Sequence, residues 1–209
     1  MKKLLHIIST PRGNESNTLK VSSAFLEVIR KNHKDCGIDE LNIAVGPLVS
    51  LTKKQTEGKY MLLMQKDFDS GMKKEWEEIE DHINRFLSAD TYLLSVPMWN
   101  LSIPYYLKQY IDIILQPKYL FYYTEKGPVG LAKNKKMIVI VSCGGDYREN
   151  SPVKNMNFIE PYLRSIFGLA GITDITFIYA QPMDALGPGV GKEKVEAAKK
   201  EACKIAEKL

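Results

Sequence analysis

The sequence is poor in cysteine and histidine and has no long hydrophobic run, and each shortage removes a class of function. Its three cysteines, Cys36, Cys143 and Cys203, form no CxxC pair and are odd in number, which argues against a disulfide framework and against a zinc site. His6, His33 and His82 are scattered along the chain, so no metal-ligand set is expected. No apolar run approaches the roughly 18 residues that a membrane span needs, and no membrane association is expected. Neither GxGxxG nor GxxxxGK followed by Ser or Thr occurs, which removes the dinucleotide fingerprint and triphosphate chemistry. A dense basic stripe is missing too. The net charge is +4, but Lys and Arg are dispersed among Asp and Glu, unlike a nucleic-acid-binding face.

What remains is the composition of an ordinary globular protein. Hydrophobic residues make up 44% and charged residues 26% of the 209 positions, near the usual averages. That length suits one domain, residues 1–209, with a sizeable core. The opening Met1–Ile8 stretch has a basic tip and a short apolar segment, too short for a signal peptide and followed by no small-residue cleavage site. It reads as a strand, and the expected location is cytoplasmic.

Five β-rich runs alternate with segments of helical period. Leu4–Ile8, a weaker Asp39–Ile43, Thr91–Val96, Met137–Val141 and Ile175–Tyr179 are the expected strands. Between and after them, residues share one face at helical spacing: Leu19, Ser22, Leu26 and Ile29; Trp76, Ile79, Ile83 and Phe86; Leu107, Tyr110, Ile111 and Ile114; Phe158, Tyr162, Leu163 and Ile166, stopping near Gly168; and Val195, Ala198, Ala202, Ile205 and Leu209. Such alternation implies βαβ units and a doubly wound, five-stranded parallel sheet in a three-layer α/β/α arrangement. Two stretches fall outside this pattern. Gly46–Lys74 shows no clear period, and Gln116–Lys135 carries the aromatic run Leu120-Phe121-Tyr122-Tyr123. The aromatic run either covers a surface or packs a partner subunit.

In open α/β sheets ligands sit beyond the carboxyl ends of the strands, which nominates three loops. The first, Ser9–Thr18, is rich in hydroxyls and amides and leads into a helix, where unpaired N–H groups favour an anion. Taken alone, Ser16 or Thr18 could equally be a helix cap. The second, Pro97–Pro104, carries Met98 and Trp99 between two prolines. It suits an apolar slot for a planar ring, with Asn100 at a polar edge, or ordinary core packing. The third, Ser142–Tyr147, contains Gly144-Gly145, which allows close backbone approach to a ligand or a plain turn. Together the loops describe one site, with a phosphate at one side and a planar ring at the other.

The first loop, the PMWNLSIP segment with the following LKQYID helix, FYYTEKGPVGL and VSCGG resemble the FMN-dependent NADH-azoreductase family, within the flavodoxin-like quinone reductases. The resemblance runs from Lys3 to about Ala180. It implies a flavodoxin-like fold with one non-covalent FMN per subunit. Thr10, Ser16, Asn17 and Thr18 would hold the phosphate. Pro97, Met98, Trp99, Asn100 and Leu101 would line the ring and ribityl chain. Ser142, Cys143, Gly144 and Gly145 would face the opposite part of the ring. The family is homodimeric, and it places part of the aromatic run over the flavin. Cys143 and the Gly46–Lys74 stretch depart from the family pattern, which leaves acceptor choice open.

The implied activity is an oxidoreductase passing electrons from NADH or NADPH through FMN to a quinone or an azo compound, by a ping-pong scheme. No residue type stands out as an obligatory catalytic acid or base. The competing readings are a flavin reductase or nitroreductase-type enzyme, a non-catalytic flavodoxin-type carrier and a cofactor-free interaction module. Carriers of that type are usually acidic, and this chain is not.

Overall fold

The computed structural model describes every residue except 47 and 185–187. Five parallel strands form the main sheet: β1 (Lys3–Ile8), β2 (Gly37–Asn42), β3 (Thr91–Pro97), β6 (Lys136–Ser142) and β7 (Asp174–Ala180). They lie in the order β2-β1-β3-β6-β7. Counting main-sheet strands alone, this is 2-1-3-4-5, the flavodoxin-like order, whose topological switch point lies between the first and third strands.

β3 is buried along nearly its whole length, as a strand covered on both faces must be. Neighbouring strand residues alternate between two apolar layers. Leu5, Ile7, Tyr92 and Leu94 pack with α3 (Ser70–Leu87), α4 (Tyr105–Ile114) and α5 (Ile159–Ala170). Leu4 and Leu93 pack with α1 (Asn17–Asn32) and α6 (Pro188–Ala206). The period of two places His6 and Ser95 on the α1 side.

Helix boundaries follow local chemistry. Ser16 caps α1, its hydroxyl accepting from Leu19 N at 3.4 Å. Asp69 caps α3, accepting from Met72 N at 2.7 Å. α3 buries Trp76, Ile79, Ile83 and Phe86 at helical spacing. α5 runs through Gly168, where the expected stop lay, and ends at Gly171. Gly171 takes φ +97°, a left-handed conformation that glycine adopts without a Cβ penalty. α6 ends at Ala206 and carries its seam on Val195, Ala198, Ala202 and Ala206, so Leu209 lies past the helix.

Both unassigned stretches contain regular structure. Gly46–Lys74, apart from residue 47, which lies outside the described residues, contains α2 (Lys53–Leu63) and the start of α3. A capping box opens α2: Gln55 N donates to the Thr52 hydroxyl at 3.3 Å, and Thr52 N donates to Gln55 Oε1 at 2.9 Å. α2 packs on α3, not on the sheet. Its Gly58 lies so near Trp76 that an added Cβ would sit 2.8 Å from the indole ring. Gln116–Lys135 forms an antiparallel hairpin, β4 (Phe121–Thr124) with β5 (Gly127–Gly130). Phe121 is buried, while Tyr122 and Tyr123 are exposed.

Candidate functional site

The three nominated loops leave the adjacent strands β1, β3 and β6, and hydrogen bonds tie them together. Ser9 N and Ser9 Oγ both donate to Ser95 O, at 3.1 and 2.8 Å, joining the first loop to β3. Met98 N donates to Ser142 O at 2.9 Å, joining the second loop to the third. Phe158 N donates to Leu101 O at 3.1 Å, so the segment before α5 folds back on the second loop.

In the first loop Thr10, Ser16 and Thr18 are buried and Asn17 is half-buried. The Ser16 and Thr18 hydroxyls lie 2.8 Å apart, and Thr10 Oγ1 accepts from Arg12 N at 3.3 Å. Asn17 and Thr18 occupy the first turn of α1, where helix geometry gives their N–H groups no intrahelical acceptor. Ser16 is both a cap and part of the anion-facing turn, so the two readings of this loop coexist.

The second loop holds the most unusual backbone of the site. Trp99 N donates to Ser102 O at 2.9 Å and Ser102 N to Trp99 O at 3.0 Å. Between them Asn100 and Leu101 have φ +47° and +71°. Two consecutive positive φ values define a type I′ turn, which favours Asn and Gly. Leu in that conformation is strained by about 1 kcal/mol or more, and such strain clusters at ligand sites. Met98 and Trp99 part company here. Met98 packs against the core. The half-buried Trp99 instead stands beside Tyr106 and Tyr105, with ring centroids at 6.0 and 6.4 Å. Pro97 and Leu101 are half-buried and Asn100 is exposed.

The third loop is more enclosed than a glycine turn suggests. Cys143 is only 1% exposed, and burial pushes its thiol up to about 12, so it offers no accessible sulfur. Its backbone is committed as well, with N donating to Ala180 O at 3.1 Å and O accepting from Met183 N at 2.9 Å. The glycines do not leave their Cβ side open to a ligand. A Cβ on Gly144 would lie 2.8 Å from Asp184 Oδ2, and one on Gly145 would lie 3.1 Å from the Tyr147 hydroxyl. What the turn still presents is the N–H groups of Gly144 and Gly145, which have no partner among the described residues. Beside it, hydrogen bonds from Arg148 hold the Asp146 carboxyl down to about 2.

The donor set fits a phosphate monoester joined to a planar ring. Neutral hydroxyls and helix-start N–H groups lie in the first loop, an aromatic side chain is carried on the strained turn of the second, and the third offers backbone N–H donors. Two features lie beyond the sequence reading. One is the aromatic cluster of Trp99, Tyr105 and Tyr106, whose sequence signal was the Tyr-Tyr pair directly after Pro104. The other is a buried polar group, His6, Ser22 and Ser95. Its sequence signals were a polar residue inside each of two apolar strands and Ser22 among the apolar residues of one helix face.

The fold and this placement of loops define a flavodoxin-like α/β protein with a ligand site at the carboxyl edge of its sheet. Residues 2–206 match the family described as having a flavodoxin-like fold, and the chain belongs to that family. It is 36% identical over 215 residues to an FMN-dependent NADH:quinone oxidoreductase of Coprothermobacter proteolyticus, with 100% of both chains covered. It is 38% identical over 210 residues to one from Clostridium perfringens, again with 100% of both covered. Among solved structures, an azoreductase from Bacillus anthracis superposes with a TM-score of 0.89 at 28% identity over 100% of both chains. An FMN-dependent NADH-azoreductase from the same species, solved in complex with FMN, gives 0.87 at 29% identity, covering 100% of this chain and 99% of that one.

Proposed function

We propose that this chain is an FMN-dependent oxidoreductase that transfers electrons from NADH, or NADPH, to quinones and azo compounds. The observation that carries the reading is the convergence, at the ends of β1, β3 and β6, of a hydroxyl-rich helix start with the strained Trp99–Ser102 turn. The activities of these relatives support it. Residues 1–209 act as one FMN-binding unit.

Thr10, Ser16, Asn17 and Thr18 hold the phosphate. The helix dipole contributes only about 0.3–1 kcal/mol. Each hydrogen bond to the charged phosphate contributes roughly 1.5–3 kcal/mol, so direct donors decide affinity there. Pro97 to Leu101 flank the ring, Trp99 forming its wall and Asn100 its polar edge. From the other side, Ser142 to Gly145 act through the Gly144 and Gly145 N–H groups. When bound, FMN supplies the two-electron chemistry, and the protein supplies position and electrostatics. No side chain is assigned as a catalytic acid or base. The single slot beside Trp99 admits one planar partner at a time, so donor and acceptor occupy it in turn.

The protein acts as a cytoplasmic homodimer. Tyr105, Tyr122, Tyr123 and Phe158 are exposed, and closed twofold association is the common way to cover such apolar surface. None of the described helices is long and apolar enough to cross a membrane.

The test is a steady-state panel on the purified yellow protein with both nicotinamides and several quinones, azo dyes and nitroaromatics. Double-reciprocal plots should be parallel, and denaturation should release FMN. Converging plots would refute the shared slot, and release of FAD or no flavin would refute the cofactor. Sedimentation of a fully active monomer at micromolar concentration would refute the dimer.

A further inference from the structure

A buried polar chain runs through an otherwise apolar layer. His6, Ser9, Thr18, Ser22 and Ser95 are each at most 3% exposed. His6 and Ser95 sit on the α1 face of the sheet among Leu4, Val21, Phe25 and Leu93. A leucine in the place of His6 would contribute burial energy directly, whereas the imidazole must be compensated by its partners.

Those partners lead to the first loop. His6 Nε2 lies 2.9 Å from Ser95 Oγ. Ser95 Oγ lies 2.5 Å from Ser22 Oγ, and Ser22 Oγ donates to Thr18 O at 2.8 Å. The Ser95 carbonyl meanwhile accepts from both Ser9 N and Ser9 Oγ. Ser9 opens the loop and Thr18 closes it, so one residue of β3 staples both ends.

The direction of the chain follows from counting protons. The Thr18 carbonyl can only accept, so the Ser22 proton is committed to it. Ser22 then accepts from Ser95, and Ser95 accepts from His6. One assignment fills all three contacts: His6 Nε2–H to Ser95 O–H to Ser22 O–H to Thr18 C=O. It requires the neutral Nε2–H tautomer and leaves Nδ1 bare. Nδ1 is indeed buried with no partner among the described residues. Burial, with a smaller contribution from Arg30, lowers the ring to about 4, so it stays a neutral donor at neutral pH. Linked hydroxyls polarise one another, and the loss of one member loosens the rest.

We propose that His6 is a positioning residue for the phosphate-binding loop, acting through Ser95 to fix the distance between Ser9 and Thr18. The inference rests on the reading that this loop holds the phosphate of FMN. Its test compares FMN with riboflavin, which has the same ring and no phosphate, by flavin fluorescence quenching. His6→Leu should weaken FMN by about tenfold, the scale of one lost hydrogen bond, and should leave riboflavin unchanged. Ser95→Ala should show the same selective loss, and the double variant should lose no more than Ser95→Ala alone. His6→Gln, whose amide can still donate to Ser95, should recover much of the loss. Independently of any variant's folding, 15N NMR of the unmodified holoprotein at pH 7 should show His6 as the Nε2–H tautomer. An Nδ1–H tautomer, equal weakening of FMN and riboflavin, or no weakening in His6→Leu would overturn the proposal. Unmodified protein that binds FMN no better than riboflavin would overturn the phosphate reading itself, and the inference with it.

Discussion

Mild acid should destabilise this protein before most carboxylates protonate, and His6 should be the main cause. The ring is 3% exposed and is lowered from 6.5 to about 4 by burial first and by Arg30 second. In the unfolded chain the same ring takes a proton near its ordinary value. Between those two values the unfolded state therefore binds more protons, and stability falls as pH falls. Above about 6.5 both states are neutral and no penalty exists. Near 4 the native ring also protonates and the penalty levels off. The gap, at 1.36 kcal/mol per pH unit, is worth about 3 kcal/mol, a large share of a typical stability of roughly 5–15 kcal/mol. His82 is half-buried and is also lowered, by desolvation first and then by Arg85, so it adds a smaller slope of the same sign. Asp39 and Asp146 are held low by Arg85 and Arg148 and lose their contributions only at lower pH. The assay is a series of urea midpoints from pH 7 to 4.5 at one fixed FMN concentration, because bound ligand adds its own stabilisation. His6→Leu should flatten most of the decline, and His82→Gln should flatten less of it. A decline of the same steepness in His6→Leu would refute the assignment to His6.

Trp99→Ala should raise the acceptor KM by about tenfold, the scale of a lost apolar contact, while leaving FMN affinity nearly unchanged; an unfolded Trp99→Ala protein would instead mark the indole as core. Cys143→Ser should keep FMN and most activity while costing about 1–3 kcal/mol for the buried hydroxyl, and native Cys143 should resist thiol reagents; loss of activity above a hundredfold with FMN still bound would show that the sulfur takes part in the chemistry. Gly58→Val should press on the fully buried Trp76, costing about 1–3 kcal/mol. It should lower Tm by several degrees and shift acceptor KM more than FMN affinity; an unchanged Tm would show that α2 does not depend on this close approach.

The main sheet was legible because its central strands are buried on both faces, so β3 and β6 stand out as continuous apolar runs. β2 was placed about two residues late because it is an edge strand with mixed exposure and a weak pattern. α2 escaped because it packs on α3 instead of on the sheet and buries only Gln55, Gly58 and Leu62. Its Thr52–Gln55 capping box was present in the sequence all the same. The site loops were legible from topology alone, since ligands gather at strand ends. The burial of Cys143 was not, because sequence shows a thiol beside two glycines and not the core packing that encloses it. The His6–Ser95–Ser22 chain depends on β1–β3 register and on the rotation of α1, which no residue pattern encodes.

The two stretches without a clear pattern meet in space. Leu62 and Leu63 of α2 share a cavity of about 380 Å³ with Pro117, Tyr122 and Tyr123 of the hairpin segment. Lys118 Nζ also donates to Lys66 O at 3.4 Å. The hairpin is anchored from behind, because a Cβ on Gly130 would fall 2.2 Å from Gly171 N at the end of α5. A backbone contact of that closeness leaves the hairpin no room to slide. The exposed Tyr122 and Tyr123 are therefore carried on a fixed platform, and the other wall of the cavity is α2, held to α3 through Gly58 and Trp76. Substitutions along α2 should then alter acceptor preference in a graded way, whereas Gly130→Ala should act through stability. The phosphate loop, tied to the other side of the sheet through Ser95, should be indifferent to both.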